Sequence, residues 1–215
     1  MLSTRSRTAS CTTRSRTNNP AQEDNPRAGL GVSPAFSFSA EDESALIIPA
    51  LEVASLVEHF RMRHDPSARA GVPPHITVMY PFLEPGRLTA NVVFELDRVL
   101  ATTGAFEYEL TEVREFAGGV LYLAPEPPEP FISLTRRVGE AFDVTPHRGA
   151  YAVVVPHLTI AQTATGLERK QIAEVMKRSL PHRGLASVAW LMVGNNESGW
   201  GKRRAMNFRR AATST

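Results

Sequence analysis

The chain lacks most of the features that give a function away at sight. Cys11 is its only cysteine, and it stands in a polar, basic stretch. A lone thiol there excludes internal disulfides and any zinc site built on a cysteine set, and it makes a poor nucleophile. No apolar run approaches the ~18 residues of a membrane span, so no membrane partner is expected. There is no G-x-x-x-x-G-K-[ST] loop, which sets aside a kinase or ATP-driven ligase of that class. There is no H-E-x-x-H pattern either, and no carboxylate stands where a metal-ligating histidine pair would need its third ligand.

Strong charge is also missing from the foldable part. Residues 1–39 hold five arginines against Glu23 and Asp24, a net +3, while the whole chain is +2, so the remainder sums to about −1. Duplex nucleic acid usually demands a broad basic face, so a small substrate or an RNA end fits better. The exception is Lys202, Arg203, Arg204, Arg209 and Arg210, readable as a phosphate-binding edge or as a solvated terminal face. The first 39 residues are rich in Ser, Thr, Arg, Asn and Pro with no apolar period, which reads as a disordered tail. Residues 40–215 are then one domain, expected to act as a cytoplasmic monomer.

What the chain does have is a phrase written twice. Pro74-His75-Ile76-Thr77-Val78 returns as Pro156-His157-Leu158-Thr159-Ile160, its histidines 82 positions apart. Each is a strand signal of alternating polar and apolar residues. Successive strand side chains point to opposite faces, so His75 emerges with Thr77 and His157 with Thr159. Two such plates facing each other would offer two proton-transfer groups and two hydroxyl donors. The other four histidines (His59, His64, His147, His182) lack this setting.

These paired His-x-Thr-x phrases resemble the signature of the 2H phosphoesterases, the superfamily of 2′-5′ RNA ligase-like proteins and RNA cyclic phosphodiesterases. The likeness runs from about Ser44 to Phe208. It implies a bilobal α+β fold, two similar lobes of antiparallel sheet plus helices, with one motif from each lobe lining a central cleft. It also implies a phosphodiesterase acting on 2′,3′-cyclic phosphates or 2′-5′ bonds of RNA ends, small cyclic nucleotides or 2′-5′ oligonucleotides. Reverse 2′-5′ ligation would use the same site, and no metal or cofactor would be required. One neutral imidazole would take a proton and one protonated imidazole would give one, while Thr77 and Thr159 hold the phosphate. The alternative is a non-catalytic module that binds RNA ends or nucleotides in the same cleft. Tyr80 and Gln162 follow the two motifs at equivalent places, where related phosphodiesterases often carry arginine at the second. Alternation puts both on the face opposite the histidines.

Further substrate contacts are expected from Phe82 and Tyr122, which could stack a base, with Phe116 and Trp200 as further stacking candidates, and from Arg148, which could clamp a phosphate. The remaining elements read as strands at 44–49, 106–116, 120–124, 187–193 and 205–208, with helices at 51–64, 90–101, 131–142 and 168–180. Gly118-Gly119 marks a hairpin and Thr89 a helix cap. The proline-rich 125–130 stretch is the expected crossover between lobes.

Overall fold

The computed structural model describes residues 39–209. The expected tail, Ser39 apart, lies outside the described residues, as do Cys11 and Arg210.

Among the described residues eight strands and five α-helices follow one another: β1 (Glu43–Pro49), α1 (Ala54–His64), α2 (Pro66–Arg69), β2 (His75–Met79), α3 (Ala90–Ala101), β3 (Phe106–Glu115), β4 (Leu121–Glu126), α4 (Glu129–Phe142), β5 (Leu158–Ala161), α5 (Gly166–Lys177), β6 (His182–Ala186), β7 (Val188–Asn195) and β8 (Gly199–Asn207). They form two four-stranded sheets, ordered β2-β1-β7-β8 and β5-β4-β3-β6, with every pair antiparallel. This is the α+β, two-lobed architecture expected. Each motif strand is the outer strand of its own sheet, and β2 and β5 lie against each other.

Local chemistry explains the elements. Thr89 accepts a hydrogen bond from the Val92 amide at 3.3 Å and starts α3. Thr165 and Glu168 close a reciprocal capping box on α5. The β3–β4 hairpin turns at Gly119, whose φ of 84° favours glycine. Asp65 caps α2 through the Ser67 amide, with Pro66 at the first helical position. That short helix falls between the 51–64 helix and the first motif strand, where the sequence reading places no element.

Two expectations change. The polar sequence His182-Arg183-Gly184-Leu185-Ala186 forms β6, an edge strand bonded to β3 alone. Edge strands tolerate charge and glycine, which is why no apolar alternation announces it. The 125–130 stretch carries no change of sheet, because β4 runs through Glu126 and the next strand, β5, pairs with β4; it leads instead into α4, which packs on β2 of the other sheet. The chain changes sheet between β2 and β3, and it returns between β6 and β7.

One continuous core draws on both sheets, with Leu46, Ile76, Leu96, Leu110, Leu123, Leu158 and Ile160 all fully buried. Each such side chain contributes about 1.5–3 kcal/mol by leaving water. The helices are exchanged between halves: α1 packs on β5 and α4 on β2. At the ends, the Gln162 amide donates to the His64 carbonyl at 2.8 Å, and the His147 amide donates to the Tyr80 carbonyl at 2.7 Å. No helix among the described residues is long and apolar enough to cross a membrane.

Candidate active site

The two motifs repeat each other in three dimensions. In both, histidine and threonine are half-buried while the residue between them is buried. A proline precedes each histidine and holds the residue before it in an extended conformation. That residue's carbonyl receives the imidazole: His75 Nδ1 lies 2.7 Å from the Pro73 oxygen, and His157 Nδ1 lies 2.7 Å from the Val155 oxygen. A carbonyl can only accept, so Nδ1 carries hydrogen in both rings. Each Nε2 is thereby left as the working atom, able to accept a proton when neutral and to donate one when charged.

A shared irregularity follows. Ile47 pairs with Thr77 and Leu46 with Met79, so Val78 is an extra residue on β2. Tyr122 pairs with Thr159 and Leu121 with Ala161, so Ile160 is an extra residue on β5. Both are β-bulges, and each reverses the alternation beyond it. Val78 and Met79 are both buried, as are Ile160 and Ala161. Tyr80 and Gln162 therefore return to the face of their histidines rather than the opposite one. The bulge depends on pairing geometry, which simple alternation does not see.

Behind the matched histidines the surroundings differ. Arg61 and Asp65 form a buried ion pair at 2.9 Å, and Arg61 also donates to the Val72 carbonyl at 3.1 Å, next to Pro73. Asp65 is closed off by the Ser67 amide and hydroxyl at 3.0 and 2.8 Å. The pair thus anchors the loop that orients His75. His157 instead stands in an aromatic corner, edge-on to Phe116 at 5.0 Å and near Tyr122 at 5.5 Å, with those two rings stacked at 4.2 Å.

Burial pushes His75 down to about 4; the Arg61 guanidinium and His157 add to this, while the Pro73 carbonyl and Asp65 oppose it. Burial also lowers His157, helped by His147 and opposed by the Val155 carbonyl. His147 is itself lowered by burial. This third imidazole therefore sits near the pair, although no motif marks it. Its backbone is left-handed (φ 51°), as is that of Arg148 (φ 52°).

The other expected contacts are distributed unevenly. Tyr122 is brought to His157, but it is 5% exposed beneath Phe116 and supports the imidazole more than it offers a ring face. Phe82 is buried against Phe142 at 5.1 Å and presents no open face for a base. Arg148 is exposed and tied to Glu43 at 2.9 Å. It borders a groove shared with Glu41, Asp42, Glu84 and Arg87, and neither His75 nor His157 lines that groove. Four carboxylates against two guanidinium groups make it ill suited to a phosphate. Among the described residues no three His, Cys, Asp or Glu side chains gather as a metal-ligand set.

The fold agrees with what known proteins show. The family model of the 2′-5′ RNA ligase superfamily matches residues 49–195. The chain belongs to that superfamily, the 2H phosphoesterases. A candidate phosphoesterase of Bacillus cytotoxicus is 31% identical over 129 residues, covering 59% of this chain and 73% of the relative. Among solved structures, TT0787 of Thermus thermophilus superposes with a TM-score of 0.56 at 13% identity, over 78% of this chain and 98% of the other. LigT of E. coli superposes with a TM-score of 0.50 at 15% identity, over 78% and 98%. At such identities the last two speak for the fold.

Proposed function

We propose that this phosphoesterase is a metal-independent phosphodiesterase acting on 2′,3′-cyclic phosphates or 2′-5′ phosphodiester bonds of RNA ends or nucleotides. The observation that carries the reading is the matched anchoring of His75 and His157, which frees Nε2 on both rings. His75, depressed to about 4, is the neutral group at physiological pH and acts as the base. It removes a proton from water as the water oxygen bonds to phosphorus. His157 is the acid: as the bond from phosphorus to the ribose 3′ oxygen breaks, it delivers a proton to that oxygen. The product is a 2′-phosphate beside a free 3′-hydroxyl, and solvent restores both protonation states. The incoming phosphate raises the depressed His157 toward its charged form, because an anion beside an imidazole favours the proton. Thr77 and Thr159 donate to the non-bridging oxygens and stabilise their developing charge. With the 5′-hydroxyl of another strand in place of water, the same step forms a 2′-5′ bond as the bond from phosphorus to the ribose 3′ oxygen breaks.

The test is turnover of an oligoribonucleotide ending in a 2′,3′-cyclic phosphate, in excess EDTA, by wild type, His75→Ala and His157→Ala. Opening to the 2′-phosphate by wild type and its loss in both variants is the expected result. Binding without turnover by wild type would make the chain a recognition module. Turnover only after metal is restored would overturn the scheme.

A further inference from the structure

The sheet β2-β1-β7-β8 has two faces, and only one is covered by the continuous core. Leu46 and Ile48 of β1, Ile76 of β2, and Ala189 and Leu191 of β7 belong to that core. A second cluster of Ala45, Ile47, Val72 and Met192, with Tyr80, Trp190 and Trp200 against it, lies on the other face. Register ties this face to the motif. Pro49 stands opposite His75, and Ile47 stands opposite both Thr77 on one side and Trp190 on the other. Directly paired residues of antiparallel strands share a face, so Trp190 lies on the side that carries His75 and Thr77. Two strand spacings separate β2 from β7, which puts Trp190 about 10 Å from the Thr77 strand.

The next strand adds a cation. Met192 pairs with Lys202, and Lys202 Nζ lies 4.1 Å from the centroid of the Trp190 ring. Arg204, two residues on, turns to the core side and holds Asp97 of α3 at 2.5 Å. The basic run is therefore split between the faces, and Lys202 is its member on the motif side. Trp190 is half-buried and Lys202 is exposed.

The geometry points to a nucleotide subsite on Trp190 and Lys202 that takes a residue of a single-stranded ribonucleotide chain adjoining the phosphodiester held at His75 and His157. This rests on the phosphodiester reading of the His/Thr site. The Lys202 ammonium lies over the half-buried indole ring, so a base stacks there by taking its place, and the displaced ammonium answers the backbone phosphate. The near-neutral charge of the remaining chain fits a short single strand, since duplex binding calls for a broad basic face. The subsite makes an oligonucleotide a better substrate than a nucleoside 2′,3′-cyclic phosphate, which ends before reaching it.

Trp190 and Trp200 are the only tryptophans, so intrinsic fluorescence reports on this face. The probe is a six-nucleotide RNA ending in a 2′-phosphate, titrated into the full chain at several salt concentrations. Quenching is expected in wild type and in Trp200→Phe but not in Trp190→Phe, and Trp190→Ala weakens binding about tenfold, within the range for one stacked base. Lys202→Gln lowers the slope of log affinity against log salt by about 0.7, the share of one phosphate contact on a single strand. Lys177→Gln, on the exposed side of α5, keeps the wild-type slope. Unchanged affinity in Trp190→Ala together with an unchanged slope in Lys202→Gln would overturn the subsite. If the cyclic-phosphate RNA is opened by wild type yet Trp190 stays silent, the subsite fails and the catalytic reading stands. Quenching through Trp190 without any turnover does the reverse.

Discussion

Acidification should destabilise this protein in a window that carboxylates do not explain. His75 is held at about 4 in the folded chain, against 6.5 for an unperturbed imidazole. A folded value below the unfolded one means that the unfolded chain binds the proton more readily. The stabilising contribution is therefore complete above about pH 7 and is lost as pH falls from 6.5 toward 4. Its full size, at about 1.36 kcal/mol for each pH unit between those two values, is about 3 kcal/mol, of which about 2 kcal/mol is gone by pH 5. His157 and His147 are lowered too and act in the same direction. The assay is urea unfolding at intervals from pH 8 to pH 5. With a slope of about 2 kcal/mol per molar urea, His75 alone should move the midpoint down by roughly 1 M. His75→Asn, whose side-chain amide can still reach the Pro73 carbonyl, should flatten the curve by that amount. A wild type and a His75→Asn that lose stability in parallel across this window would refute the assignment of a half-buried neutral imidazole.

Other consequences can be measured alongside. If His75 is the base and His157 the acid, the bell in kcat/KM centres below pH 6.5, because both free-enzyme limbs belong to depressed imidazoles; an optimum above pH 8 would contradict the assignment. Asp65→Asn removes the nearer and fully buried counter-charge of Arg61, leaving only Glu58 at 3.7 Å, and breaking such a buried pair costs about 3–5 kcal/mol. A loss below about 1 kcal/mol in urea unfolding would show that the pair does not hold the loop. Thr77→Val and Thr159→Val should each lower kcat by about 10²-fold or more, in line with removing a donor to a developing oxyanion, while thermal stability barely moves. Gly184→Ala should destabilise by about 1–3 kcal/mol, because a Cβ there would stand 2.3 Å from both Tyr108 and Glu52. An unchanged melting temperature would mean that β6 moves aside freely.

Much of this molecule is legible in its residues because the signals are local. The His-x-Thr phrases, the Thr89 cap and the Gly118-Gly119 hairpin each depend on a few adjacent residues, and each stands in the structure as read. What escapes reading depends on distant partners. β6 exists because β3 offers it an edge, and its own composition gives no apolar stripe. The bulges at Val78 and Ile160 arise from pairing with β1 and β4, so alternation misassigns Tyr80 and Gln162. Phe82 and Tyr122 look alike as aromatics near motif strands, yet one sits in the core against Phe142 and the other braces His157. The 125–130 stretch has a linker's composition, and only strand order reveals that both halves of the chain cross between sheets elsewhere.

A duplicated motif raises a problem that its own symmetry cannot solve, since acid and base must differ in protonation at one pH. The local anchor is the same in both copies, a carbonyl 2.7 Å from Nδ1. Any difference must come from outside the repeated phrase. The Arg61–Asp65 pair, with Arg61 bonded to Val72, belongs to the loop before His75 alone; burial is the main cause of that imidazole's depression, and the guanidinium adds to it while Asp65 opposes it. The Phe116–Tyr122 stack belongs to His157 alone and surrounds it with rings instead of a fixed positive charge. Neighbouring titratable groups whose environments push them apart are how acid and base roles become assigned. On this account the direction of the reaction is set by residues that never touch substrate. Transplanting surroundings should then matter more than exchanging motifs. Replacing Arg61 with methionine should raise the His75 pKa, since the guanidinium that lowers it goes while Asp65, which raises it, stays; NMR titration of the ring protons reads this, with His157 left where it was. Equal movement of both imidazoles would mean that the asymmetry lies elsewhere.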